Sequence, residues 1–156
     1  MLTRLMGIGA LAACALSGCV ANAPSRYPDG DPDLFREEVQ PVLQRSCAFE
    51  GCHGHEGMPL TLYAVDFLRL VDPEGDVDTG RTALDERALS ETELDHNRRS
   101  IAGRVSAADP EGVALIDRLL PPEAGGIPHA GFVAYENPEH PDVETLRAFL
   151  RTVDVE

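Results

Sequence analysis

Apolar residues recur along this chain at helical spacing in several separate stretches, and no stretch alternates strongly enough to build a sheet. In the clearest, 34–47, Leu34, Phe35, Val39, Val42, Leu43 and Cys47 share one helical face, with Asp33 ahead of them and acidic side chains in the first turn. Pro41 conflicts with an unbroken helix, because it lacks one backbone N–H and its ring crowds the preceding turn. The pattern therefore predicts a helix kinked or split near Gln40 that delivers Cys47 at its C-terminal end. A second stretch, 60–71, carries Leu60, Leu62, Val65, Phe67, Leu68 and Leu70 and predicts a short amphipathic helix after an irregular start. Residues 72–110 are acidic and rich in Gly, Asp and Ser, which predicts a long surface excursion with one short helix over 84–98. A helix is expected over 110–120, with Pro110 in its first turn, Val113, Leu115, Ile116, Leu119 and Leu120 buried, and Pro121-Pro122 ending it. Gly125-Gly126-Ile127-Pro128-His129-Ala130-Gly131-Phe132 reads as a tight loop whose glycines allow close backbone approach. The last helix, over 141–152, turns Val143, Leu146, Phe149 and Leu150 to one side. The fold class is a small all-α domain, and the chain has no internal repeat.

The N-terminus reads as a processing signal. Arg4 gives a short positive region, and residues 5–16 are uncharged and apolar, long enough for a signal segment and too short to span a bilayer. Leu16-Ser17-Gly18-Cys19 resembles the lipobox of bacterial lipoproteins, in which the chain is cut before the cysteine and the cysteine is lipidated. The organisation expected is a lipoprotein signal peptide over 1–18, a lipidated tether over 19–32 with three prolines, and one domain over 33–156. Cys14 falls in the discarded segment. Acyl anchoring at Cys19 attaches the protein to a membrane without crossing it and places it in the bacterial cell envelope, periplasmic or facing outward. There thiols rarely stay free, so the two other cysteines, Cys47 and Cys52, are expected to be bonded to something.

Charge narrows the partners. Every basic residue is arginine; without Arg4, 12 basic residues face 27 acidic ones, a net charge of −15 with neutral histidines. Such a surface repels nucleic acid and anionic headgroups and favours a basic protein partner or tolerance of high salt. No Ser/His/Asp set, paired carboxylates or phosphate-binding glycine loop stands out from the general acidity.

The candidate chemistry lies in Cys47-Ala48-Phe49-Glu50-Gly51-Cys52-His53. Two thiols can form thioethers to haem vinyl groups while an adjacent imidazole binds iron, which is the logic of covalent haem attachment. The usual spacer is two residues, and here it is four. A local Cys47–Cys52 disulfide would need only an oxidant, but leaves the adjacent histidine unexplained. Zinc or copper on Cys47, Cys52, His53 and His55 fits the spacing poorly.

The run Glu38-Val39-Gln40-Pro41-Val42-Leu43-Gln44-Arg45-Ser46-Cys47 up to Cys52-His53-Gly54 resembles a c-type cytochrome domain, most like those in large secreted proteins of planctomycetes and myxobacteria. The resemblance continues through a variable acidic middle, the helix ending in Leu119-Leu120, the Gly125 to Gly131 loop and the last helix. It implies a cytochrome c-like helical domain in which the N- and C-terminal helices cross beside haem c. Carried onto this chain, Cys47 and Cys52 are the attachment sites, His53 the proximal iron ligand and His129 the candidate distal ligand. Met58 is the less favoured distal ligand: five residues after His53, it could reach the other face only along an almost straight path, whereas Gly54 and Gly57 indicate a turn. Arg98, Arg99 and Arg104 are candidate propionate partners, and His55, His96 and His140 read as surface histidines. The function implied is electron transfer by a membrane-anchored monohaem cytochrome with a redox protein partner, an electron carrier more than an enzyme. Two other functions stay open: a non-haem envelope lipoprotein with a Cys47–Cys52 disulfide acting as an interaction module, and a haem enzyme with an open iron site.

Overall fold

Asp31 starts the first helix by accepting the backbone N–H groups of Asp33 and Leu34 at 2.9 and 3.0 Å, with Pro32 in the first turn. The computed structural model describes residues 28–70, 88–129 and 133–155. The expectations for the signal segment, Cys19, most of the tether, residues 71–87 and residues 130–132 lie outside the described residues. The described part is helical with no strand, apart from an isolated bridge between Ser106 and Asp109. No helix among the described residues is long and apolar enough to cross a membrane.

The first helical rod has three parts: α1 (Pro32–Leu34), a π-helical turn (Phe35–Val39) and α2 (Gln40–Ser46). The widened turn, closed by Gln40 N–H on the Phe35 carbonyl, ends directly before Pro41, so the split expected near Gln40 is present while the chain stays helical. Phe35, Val39, Val42 and Leu43 are buried along it. The fold reaches further back than the expected boundary at residue 33. Gly30 is buried, its carbonyl accepts from Arg98 at 3.1 Å, and Asp31 N–H donates to the Thr152 hydroxyl at 2.9 Å.

The last helix, α5 (Pro141–Leu150), lies antiparallel to the rod. Phe149 meets Phe35 with ring centres 5.2 Å apart near one end, and Arg45 grips Asp142 at the other. Val143, Leu146, Phe149 and Leu150 are all buried, as their spacing predicts.

Helix α3 (Glu91–Ala102) begins at a capping box in which Ser90 and Glu93 satisfy each other's backbone N–H groups. It thus starts well after the residue-84 boundary expected for it and runs on past Arg98. Against it lies a strap over 59–70, where a short helix was expected and none forms. Several of the strap's backbone groups bond to α3 side chains instead. Asn97 Oδ1 accepts from Tyr63 N–H at 2.8 Å, Asn97 Nδ2 donates to the Tyr63 carbonyl at 2.7 Å, and Glu93 accepts from Leu70 N–H at 2.8 Å. Leu62, Ala64 and Leu68 are buried beneath it, and Asp66 takes a φ of 65° at its bend.

Helix α4 covers only Val113–Asp117. Pro110 precedes it in a turn, because Asp109 takes the capping role by accepting from Val113 and Ala114 N–H at 2.8 and 2.9 Å. Val113, expected inside, is 49% exposed; Ile116, Leu119 and Leu120 carry the burial.

Candidate functional site

Cys47 closes α2, its N–H on the Leu43 carbonyl at 2.9 Å. The four-residue spacer after it folds into a compact loop bonded to itself. The Phe49 carbonyl accepts from Cys52 and Gly54 N–H, both at 2.9 Å, and the Cys47 carbonyl accepts from His53 N–H at 3.1 Å. Ala48 is fully buried and pins the loop to the core. The extra residues are thus taken up in a turn, and Cys47, Cys52 and His53 stay on one short segment. Gly54 has no room for a side chain, since a Cβ there would lie 2.3 Å from the Ala48 carbonyl oxygen. Gly54→Ala is therefore expected to force the loop open and destabilise the fold by about 1–3 kcal/mol, read as a lowered thermal midpoint.

Both cysteines are free thiols in the structure. Burial, with smaller contributions from Cys52 and Asp142, pushes the Cys47 thiol up to about 12, so the attacking thiolate form is scarce there at neutral pH. Beside it, Tyr135 donates to Asp142 Oδ2 at 3.1 Å and takes its place through its N–H on the Leu119 carbonyl at 3.0 Å. Burial likewise pushes the Tyr135 phenol up to about 12.

His53 is half-buried, and its Nδ1 lies 2.8 Å from the Leu60 carbonyl oxygen. A carbonyl only accepts, so that bond assigns the ring proton to Nδ1 and leaves the lone pair on Nε2. Burial lowers the His53 pKa, the Leu60 bond opposes it, and His129 and Arg104 lower it further, which favours the neutral ring. The strap supplies that carbonyl, and Leu62 N–H bonds the His53 carbonyl at 2.8 Å.

The His129 ring faces His53 at 5.7 Å between centres and 14° between planes. Its Nδ1 is buried and has no hydrogen-bond partner among the described residues, an unusual condition for an imidazole nitrogen. The loop that carries it returns tightly over α4. A Cβ on Gly126 would sit 1.9 Å from the Leu120 carbonyl oxygen, and Ile127 N–H bonds the Asp117 carbonyl at 2.9 Å. Two histidines 76 positions apart in the chain thus meet beside the cysteine loop.

The other candidates sort by position. Met58 sits half-buried in a turn closed by its N–H on the His55 carbonyl at 3.2 Å. His55 is exposed, its Nδ1 accepting from Gly57 N–H at 2.9 Å. His96 and His140, expected as surface histidines, have structural tasks. His96 bonds the Thr61 carbonyl at 3.1 Å and packs on Tyr63, while His140 caps α5 and packs on Tyr135. Arg98 pairs with Asp29 and Asp95, and Arg99 pairs with Asp95. Arg104 is exposed, donates to the Pro59 carbonyl at 3.3 Å and has no carboxylate partner among the described residues. Among the described residues, no three Cys, His, Asp or Glu side chains converge as a metal-ion cage.

The Leu60 carbonyl is the part of the site that residue types could not reveal, since its role depends on the course of the strap. Compared with known protein families, characterised proteins and solved structures, the chain finds no match.

Proposed function

We propose that this protein is a membrane-anchored monohaem c-type cytochrome of the cell envelope that transfers electrons to or from a protein partner. One arrangement supports it above all: a loop with two free thiols ends in a histidine with Nε2 left open, facing a second histidine whose Nδ1 is buried and unpartnered among the described residues. That donor set fits haem c. Cys47 and Cys52 would hold the macrocycle, His53 would bind the iron on one side and His129 on the other, with Met58 the less favoured alternative. When bound, the haem supplies one-electron chemistry at its iron.

The chain's own residues do the rest. The Leu60 carbonyl fixes the His53 tautomer and ring orientation and increases the basicity of Nε2. Burial keeps that nitrogen unprotonated and ready to act as a ligand. Were His53 and His129 both bound to it, the iron would keep no open position for a substrate, which would favour an electron carrier over an enzyme. Of the three arginines considered for the propionates, Arg104 alone is uncommitted to a carboxylate among the described residues, and it is close enough to lower the His53 pKa. Lipidation at Cys19 would hold the domain at the membrane surface.

The test is an absorbance spectrum of protein made in a strain with haem-attachment machinery. A Soret band that survives acid-acetone extraction is expected. Its absence, with a disulfide mapped between Cys47 and Cys52, overturns the proposal in favour of a non-haem envelope module. In the haem-loaded protein, His129→Ala is expected to convert a low-spin spectrum to high-spin. An unchanged spectrum, with a change in Met58→Ala, reassigns the distal ligand to Met58.

A further inference from the structure

Successive residues of the strap bond in alternation to two different neighbours. Toward the cysteine loop, the Leu60 carbonyl lies 2.8 Å from His53 Nδ1, and Leu62 N–H donates to the His53 carbonyl at 2.8 Å. Toward α3, the Thr61 carbonyl lies 3.1 Å from His96 Nε2, and Asn97 holds both backbone groups of Tyr63, at 2.8 and 2.7 Å. His53 is thereby bracketed, at its ring and at its main chain, by two strap residues whose neighbours are gripped from α3.

One peptide unit carries the link between the two sides. The Thr61 carbonyl and Leu62 N–H belong to the same planar group, so a bond at either end orients both. A carbonyl only accepts, so His96 donates through Nε2–H. That bond and the one from Leu62 to His53 polarise each other across the plane. The half-buried His96 ring is held in place by its edge contact with Tyr63, 4.8 Å between centres. On the other flank, the Thr61 hydroxyl donates to the Met58 carbonyl at 2.9 Å and Arg104 to the Pro59 carbonyl at 3.3 Å. Turning the Leu60 carbonyl away from His53 would therefore strain bonds on both sides of it.

We propose that His96 is a positioning residue for His53: by holding the Thr61–Leu62 peptide, it keeps the Leu60 carbonyl on Nδ1 and so keeps the lone pair of His53 on Nε2. Nothing in the composition of the cysteine loop points to this residue, which reaches the loop only through the strap. The clamp is defined without haem. Its redox consequence rests on the cytochrome reading, in which a firmer Nδ1–H bond makes Nε2 a stronger donor and favours the oxidised iron.

Ring-nitrogen NMR of the full mature chain prepared without haem, at about pH 8 where the imidazole is neutral, reads the His53 tautomer directly. The Nδ1–H form is expected to outweigh the other about tenfold or more. His96→Phe keeps a ring against Tyr63 but removes the donor, and should cut that preference about fivefold. His96→Gln can still donate to Thr61 and should restore it. Ser90→Ala removes the capping bond at the start of α3 at a cost of about 1 kcal/mol, and should leave the His53 ring unchanged. Should His96→Phe fail to fold, His96→Asn, whose amide stops short of Thr61, serves the same comparison. An unaltered tautomer ratio without the donor, an equal change in Ser90→Ala, or no restoration by glutamine overturns the proposal. In the haem-loaded protein, the reduction potential should rise in His96→Phe and return in His96→Gln. An intact Soret band with an unchanged potential sinks the positioning role alone. A tautomer shift in a chain that never acquires a Soret band supports the clamp and sinks the cytochrome reading alone.

Discussion

Phe149→Ala is expected to lower the free energy of unfolding by about 3–5 kcal/mol. Phe149 is fully buried on α5, and its ring fills the space at the junction of rod and chain entry. A Cβ on Gly30 would lie 2.5 Å from that ring, so the entering backbone is packed directly on it. Alanine leaves a cavity bounded by three segments that cannot all collapse into it. With total stabilities of about 5–15 kcal/mol typical of domains, much of the margin goes. Urea unfolding should show a lower midpoint at unchanged slope. A loss below about 1 kcal/mol would contradict the packing of Phe149 described above.

Glu93→Ala is expected to cost about 3–5 kcal/mol, because it breaks a buried ion pair with Arg69 and leaves the Leu70 and Ser90 N–H groups without their buried acceptor. The Glu93 side chain is 2% exposed and joins two elements: Arg69 Nε donates to it at 2.8 Å, Leu70 N–H at 2.8 Å and Ser90 N–H at 2.8 Å. Burial alone would raise its pKa, but the donors from Arg69, Ser90 and Leu70 together outweigh burial and hold it below the ordinary value of 4.5. A carboxyl whose pKa falls on folding binds fewer protons folded than unfolded, so its contribution is complete above 4.5 and fades as pH falls through the lower folded value. The unfolding free energy measured from about pH 6 down to about pH 2 should therefore decline, and Glu93→Gln should flatten that decline while starting from a lower plateau. An unaltered acid limb in Glu93→Gln would remove Glu93 from the account of acid unfolding.

Where burial alone decides an element, the sequence makes it legible. The faces of the rod and of α5 follow from apolar spacing, and the irregularity at Pro41 follows from a missing N–H. Where a polar side chain takes over backbone bonding, the apolar pattern misleads. Leu60, Leu62 and Leu68 look helical, yet Asn97 and Glu93 satisfy part of the strap's backbone in an irregular course. Ser90 and Glu93 spelled out a capping box that the surrounding acidity concealed, and Asp109 displaced Pro110 as the start of α4. The candidate site divides the same way. Cys47, Cys52 and His53 announce themselves by adjacency. The approach of His129 to His53, the Leu60 carbonyl and the engagement of Arg98 by Asp29 depend on the path of the chain between them.

The pairing of the rod with α5 also sets the order in which this protein can fold. Asp31 and Thr152 are 121 positions apart, and Arg45 and Asp142 are 97 apart, so the first helix finds its main partner only in the last one. A nascent chain without α5 leaves Phe35 and Val39 uncovered and cannot close its core. Local contacts can form early around α3 and the strap, but the decisive loop closure waits for the final residues to be made.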